Sequence, residues 1–334
     1  MSDDVFYGFP GYMGWVPDEV DDRDRMYDLT FRVPWGSESY LRTTKDYENY
    51  WNEVYDQGST SSCTANAVSA AYAFESNRSK DIEAKTKKAF LPSRSFIYYN
   101  ARRGEPENND VDDEKELIAD DGSQIRLAMR SLQKFGVCKE VSWPLRSETV
   151  KWYPGPYAFY EAQKYMIRSY QYKRLDVKRG DKDRNAIISK QDVQTMDKDG
   201  DTVLFNLRSC LSQGSPVIFG FRLYTVKNEA GNNVIDWRQS KNSAITKWYL
   251  PDVPKARRHY GPEVQAGGHA VLAVGFLDQK KNNRTGWVLC QNSWGSDEDD
   301  PGCPFFWMPY SYITDFSATM DFWMMDFLSF PSKL

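Results

Sequence analysis

The sequence predicts an α+β chain of two lobes, mainly helical in its first half and rich in strands in its second, with a cleft between them. Three observations carry that expectation. Apolar residues recur at helical spacing between residues 63 and 136, and short apolar runs bounded by Gly, Pro and Asn dominate after residue 203. The chain's 334 residues, 40% hydrophobic and 15% aromatic, are enough to fill a sizeable core.

Residues 1 to about 50 are rich in Asp, Tyr, Trp and Pro and lack periodicity, as expected of an extended segment laid over the rest. From Cys63, the stretch CTANAVSAAYAFES places small or apolar residues at 65, 67, 68, 70, 71, 73 and 74. That pattern predicts a helix buried on most sides, with Cys63 in its first turn. LPSRSFIYYNARR (91–103) suits a second helix. DGSQIRLAMRSLQKFG (121–136) carries a stripe of Ile125, Ala128, Met129, Leu132 and Phe135, closed by Gly136. After a helix-like VLFNLRSCLSQG (203–214), the runs 216–224, 269–277 and 286–294 read as strands, with FFWMPYSYI and DFWMMDF as later additions. Two charged inserts read as solvated loops: 105–121 has nine acidic residues and one lysine, and 177–201 has 12 charges in 25 positions. The expected organisation is an N-terminal segment over 1–50 and a body over 51–334. Within the body, 51–150 is mainly helical, 177–201 is a charged insert and 203–334 is mainly β.

Composition narrows the function. Lys and Arg number 43 against 47 Asp and Glu, and the net charge of −4 offers no broad positive field to a phosphate backbone. Nucleic acid is therefore not an expected partner. No run reaches the roughly 18 apolar residues of a membrane span. The start, MSDDVFYGFPGYMGW, lacks a basic region followed by an apolar stretch, so neither a membrane nor a secretory route is expected. The cysteines, at 63, 138, 210, 290 and 303, form an odd set without close pairs or metal-ligand spacing. A reducing compartment is expected, with no disulfide framework and no metal or cofactor.

Thiol-based nucleophilic catalysis needs a sulfur that can ionise, a nearby imidazole and an acceptor that fixes the imidazole's tautomer. Cys63 follows a run of small residues and opens a buried helix, where N–H groups and the helix dipole favour a thiolate. Of the two histidines, His259 lies in a basic, turn-like stretch, whereas His269 opens the apolar run AGGHAVLAVGF. Asn292, in CQNSWG, could hold the ring while Trp294 shields that bond from water. Each residue alone has a plain structural reading: a core cysteine, a strand histidine, a turn-forming asparagine.

Together, Gln57, Cys63 six residues later, the Gly-Gly-His at 267–269 and the Asn-Ser-Trp-Gly at 292–295 resemble the papain family of cysteine peptidases. The likeness is to its bacterial and viral members with a short N-terminal preface. It runs over about 10–145 and 203–325, through GWVPDEVDDRD, LPSRSFIYYN, GVCKEVSWP and GGHAVLAVG. The resemblance implies a papain-like two-lobe fold and a cysteine endopeptidase acting on peptides or proteins without a cofactor. It assigns the nucleophile to Cys63, the acid/base to His269 and the orienting role to Asn292, supported by Trp294. It places the oxyanion hole between the Gln57 amide and the Cys63 N–H, and marks Gly122 and Gly268 as backbone contacts to an extended substrate.

The sequence also departs from the family. Thr60-Ser61-Ser62-Cys63-Thr64 stands where Cys-Gly-Ser-Cys-Trp is usual, so the disulfide made by the first of those cysteines cannot form, and Thr64 replaces an aromatic wall. DKDGD at 197–201 has the look of a calcium loop, but Thr202 and Arg208 occupy the glycine and bidentate-glutamate positions, so calcium is not expected. Residues 1–45, with Tyr12, Trp15 and Pro17, are expected either to lie across or beside the cleft and restrain activity, or to act as a strap that completes the fold. The other functional readings are a Cys/His acyltransferase or isopeptidase of the same fold, and a peptide-binding relative with little activity.

Overall fold

The computed structural model describes residues 14–28, 31–41, 54–84, 91–103, 117–168, 171–176, 190–227, 233–235, 237–239, 246–251, 265–279, 285–296, 304–315 and 318–327. Helix α1, Cys63–Ala84, is the pivot of the fold. Every residue from Cys63 to Arg78 is buried, as the dense run of small residues predicts for a helix enclosed on all sides. Helices α2 (Arg94–Arg103) and α3 (Ile125–Lys134) pack on it. The α3 stripe of Ile125, Ala128, Met129 and Leu132 shares one cluster with Val68 and Ala71 of α1 and with Phe96 and Ile97 of α2. Gly136, with φ +75°, ends α3 by donating its N–H to the Leu132 carbonyl, the left-handed closure that glycine accepts without penalty. A short helix α4, Gly155–Ala162, completes this half.

Among the described residues ten strands form one sheet: β1 (Glu38–Tyr40), β2 (Tyr172–Arg174), β3 (Val217–Lys227), β4 (Asn233–Ile235), β5 (Arg238–Gln239), β6 (Trp248–Tyr249), β7 (Gln265–Asp278), β8 (Gly286–Gln291), β9 (Phe305–Pro309) and β10 (Thr319–Met325). The spine of the sheet runs β2-β10-β3-β7-β8-β9-β6-β5, with β1 paired to β7 and β4 to β3. Side chains alternate across it. Ile218, Ala270 and Leu272 join the α1 cluster, whereas Val217, Phe219, Phe221, Val271 and Ala273 join a second cluster around helix α5.

Helix α5, Lys190–Ser212, corrects one expectation. The charged stretch 177–201 was expected to be a loop throughout, but from Lys190 it is helical, continuous with the turns whose Leu204, Leu207 and Leu211 are buried. Once those turns are anchored, extending the helix through polar residues requires no new nucleus, so charge density alone does not end it. The helix also removes the loop that DKDGD would need to wrap a cation. Residues 177–189 and 105–116, the larger parts of the two inserts, lie outside the described residues. So does Cys303, whereas Cys63, Cys138, Cys210 and Cys290 are free thiols.

Candidate active site

The turn before α1 is built from hydroxyl and amide side chains. Asn66 donates its backbone N–H to the Ser62 carbonyl at 3.0 Å and its side-chain amide to the Ser62 carbonyl and hydroxyl, both at 2.9 Å. Thr60 and Ser62 hydroxyls meet at 2.6 Å. These bonds tie the residues before the helix to its first turn and hold Cys63 there. The backbone N–H groups of Ala270, Gly14 and Thr64 point at the Cys63 sulfur and favour its charge, but burial outweighs them and lifts the thiol above its ordinary range.

Ala270 is the neighbour of His269, so the sulfur meets β7 one peptide from the imidazole. His269 pairs across β3 with Phe221, whose ring meets the imidazole edge-on at 5.7 Å. Its Nε2 lies 2.8 Å from Asn292 Oδ1. That oxygen also accepts the Ser293 N–H at 2.8 Å, which identifies it as the carbonyl end of the amide. Nε2 must then carry the proton, leaving Nδ1 as the nitrogen able to accept one. Trp294 covers the ring, with centroids 4.7 Å apart and planes at 25°. Burial pushes His269 down to about 4. In this closed arrangement burial disfavours the charged form of both the thiol and the imidazole.

Gln57 is fixed from both ends. Its backbone N–H donates to the Ser293 carbonyl at 2.8 Å, its Oε1 accepts the Ser293 hydroxyl at 2.7 Å, and its Nε2 donates to the Thr60 carbonyl at 2.8 Å, leaving one amide hydrogen uncommitted by these bonds. Asn292, Ser293 and Trp294 thus act as a strip that orients the histidine on one side and the glutamine on the other.

No protein-family model matches the chain. A relative from Acanthamoeba polyphaga mimivirus, described as an uncharacterized peptidase C1-like protein, is 32% identical over 276 residues, spanning 83% of this chain and 70% of that protein. The chain belongs to the papain-like (C1-like) cysteine peptidases. Among solved structures, xylellain, a cysteine protease from Xylella fastidiosa, superposes with a TM-score of 0.60 at 28% identity over 95% of this chain and 97% of its own. Procathepsin L2 from Tenebrio molitor larval midgut shares the fold at a TM-score of 0.54 and 12% identity, covering 93% of this chain and 78% of its own.

In this papain-like peptidase the groove beside the sulfur is filled by residues 14–18 of the chain itself. Trp15 donates its N–H to the Gly268 carbonyl at 3.2 Å, and Val16 donates to the Ser123 carbonyl at 3.1 Å. Ser123 returns its N–H to the Gly14 carbonyl at 2.7 Å. Gly14 passes so close to the turn before Cys63 that a Cβ there would sit 1.6 Å from the Ser61 carbonyl oxygen, so only glycine fits. The two glycines expected to contact a substrate backbone both touch this segment. Gly268 accepts from it, and a Cβ on Gly122 would meet the Gly14 carbonyl at 2.4 Å. Thr64, in place of the family's aromatic residue, donates its hydroxyl to the Ser123 carbonyl at 3.0 Å. The Pro17 carbonyl accepts from Gln124 Nε2 at 3.2 Å, and Tyr12 lies outside the described residues.

Two further groups support the site, and no sequence motif points to either. Arg94 is paired with Glu140 and donates from Nη1 to the Asp56 carbonyl at 2.9 Å and to Asn66 Oδ1 at 3.2 Å, with its guanidinium 4.6 Å from the Tyr55 ring centroid. It joins the Gln57 turn to helix α1. A buried ionic cluster fixes the N-terminal segment. Arg174 pairs with Asp176 and Asp321 at 2.9 Å, Arg126 pairs with Asp24 at 2.6 Å, and Asp18 accepts the Arg126 N–H and the Trp323 indole N–H. Desolvation raises Asp18 and, more strongly, Asp321 above the usual carboxylate range, against the pull of Arg174.

Proposed function

We propose that this peptidase cleaves peptide bonds within proteins through Cys63, with His269, Asn292 and Gln57 in the roles their geometry suits. Nδ1 of His269 takes the thiol proton, and the thiolate of the resulting ion pair attacks the scissile carbonyl carbon. The oxyanion that forms is met by the Gln57 amide and the Cys63 N–H. The protonated imidazole then gives its proton to the leaving amine, the C–N bond breaks, and water attacks the thioester with His269 again acting as base. Asn292 keeps Nε2 protonated throughout, and Trp294 keeps water from that bond. The observation that carries this reading is the Nε2–Oδ1 contact of 2.8 Å.

Residues 14–18 act as an autoinhibitory plug in the intact chain. Gly14 covers the sulfur, and the groove's backbone groups at Ser123 and Gly268 are already taken. Removing water from the site disfavours the charged forms of Cys63 and His269, and with them the ion pair that attack requires. Labelling with a peptidyl epoxide, with Cys63→Ala as the control, tests the nucleophile. An adduct on Cys63 is expected, and hydrolysis persisting in Cys63→Ala would overturn the assignment. Full-length Trp15→Ala is expected to hydrolyse a short peptide faster than wild type, and an unchanged rate would remove the plug.

A further inference from the structure

The Trp15 side chain occupies a cavity shaped closely around it. Its indole lies on the main chain of β3 and β7. A Cβ added at Gly220 would fall 1.9 Å from Cε2 of that ring and 2.2 Å from Nε1, and one at Gly268 would fall 2.7 Å from Cε3. Ala270 and Met320 belong to the same buried cluster. Strands with two residues lacking side chains on one face leave a flat slot that a planar group fills.

The far end of the slot is polar. Indole Nε1 donates to Asp321 Oδ2 at 3.1 Å, and the same oxygen accepts the Asp18 N–H at 2.8 Å. Oδ1 is held separately by Arg174 at 2.9 Å. Both donors to Oδ2 thus come from the plug, whereas everything else that fixes Asp321 belongs to the peptidase body. Its own N–H donates to Asp176 Oδ2 at 2.9 Å. Among the described residues it is the sole non-glycine with positive φ, at +57°, a conformation that Asp tolerates better than most side chains. When residues 14–18 leave the groove, a rigidly held carboxylate oxygen is left facing an empty flat slot beside the nucleophile. A buried acceptor without a donor is costly, so the slot favours an occupant that brings one.

We propose that this slot is the pocket that selects a substrate side chain, and that it takes a long planar group carrying an N–H at its far end, tryptophan or arginine, received by Asp321. Gly220 sets the flat floor, and Asp321 sets the chemistry. The inference rests on the reading above that the groove beside Cys63 receives substrate. It adds what that substrate looks like: Trp15 is its built-in mimic.

The test uses full-length Trp15→Ala and peptides in which each of the three residues before the cleaved bond is varied in turn among Trp, Arg, Phe and Ala. At one position Trp and Arg are expected to raise kcat/KM at least about tenfold over Phe, which is planar but shorter and lacks the donor, with Ala lower still. Asp321→Asn in the same background keeps a neutral acceptor and the left-handed backbone. It should retain the preference for Trp and lose that for Arg. Equal rates for Trp and Phe, or for Trp and Ala, would overturn the proposal.

Binding separates this from the catalytic reading. In Trp15→Ala combined with Cys63→Ala, N-acetyl-tryptophanamide should bind at least about tenfold more tightly than N-acetyl-phenylalaninamide. Selective binding without cleavage of any peptide would keep the pocket and remove the peptidase roles; cleavage without selectivity would do the reverse. Should Trp15→Ala fail to fold, Trp15→Phe keeps an aromatic ring in the slot while losing the pyrrole half of the indole with its N–H. Its groove should then yield to Trp- and Arg-bearing peptides at least tenfold more readily than to Phe-bearing ones, and no such difference would count against the pocket.

Discussion

Asn292 Oδ1 serves two donors at once, His269 Nε2 and the Ser293 N–H, each at 2.8 Å. The second bond prevents the amide from turning its nitrogen toward the imidazole, so the ring's tautomer is set by a backbone contact. Asn292→Ala is expected to lower kcat roughly 100-fold, the scale of a misplaced catalytic group, with little change in KM. Steady-state kinetics on a peptide substrate measures the split, and a loss confined to KM would contradict the orienting role.

Gln57→Ala should reduce kcat by about 100- to 1,000-fold, as removal of one oxyanion donor does elsewhere. Ser293→Ala should cost less, because Ser293 only fixes the far end of the same amide through its hydroxyl. The order of the two effects is the checkable statement, and a larger loss in Ser293→Ala would break it.

Arg94→Lys is expected to reduce kcat while leaving KM nearly unchanged, because a lysine cannot hold Glu140, the Asp56 carbonyl and Asn66 with one fork. Partial recovery on adding free guanidinium at low millimolar concentration to Arg94→Ala would distinguish positioning of the Gln57 turn from general loosening of the fold.

Stability should fall as the pH drops from 6.5 toward 4. The folded chain holds His269 neutral with its pKa near 4, whereas the unfolded chain takes up that proton around 6.5. The unfolded state thus binds more protons across this window, and the full difference is about 3 kcal/mol. His269→Gln should flatten this part of the pH–stability curve in urea titrations, and an unchanged slope would show that the imidazole is not held neutral.

Arg174→Met should destabilise the fold by about 3–5 kcal/mol, since it strips the buried carboxylates of their shared cation. Asp18 and Asp321 are already raised and can take up protons when that cation goes, so the loss should be greater at pH 8 than at pH 5. Equal losses at both pH values would mean that the carboxylates stay ionised without it.

What could be read from the sequence follows a physical divide. Cys63, His269, Asn292 and Gln57 sit in local runs whose neighbours announce them: a small-residue helix start, a glycine pair opening a strand, an Asn-Ser-Trp strip. Helix α1 was legible because alanines and serines on every face leave no solvent side. Helix α5 was misjudged over 190–201 because charge density says nothing about an anchor a few residues downstream. Trp15 could be named as a cleft candidate, but the slot beneath it could not. Gly220, Gly268 and Asp321 come from three separate strands and acquire meaning only when β3, β7 and β10 bring them around one indole. Arg94 stayed hidden for the same reason: its partners include a backbone carbonyl, which no side-chain pattern encodes.

The polypeptide that enters the groove at Gly14 returns to the body by Arg25–Tyr27, which bracket Arg174 through backbone hydrogen bonds of 2.7 Å, and then reaches the sheet as β1. Between the two anchorages, Glu19, Val20, Asp22 and Arg23 are exposed. A single scission among them would leave β1 paired to β7 while cutting the occupant of the groove off from the body. Tethering of this kind supplies an effective concentration on the order of millimolar. Once the link is severed, occupancy of the groove would follow dilution.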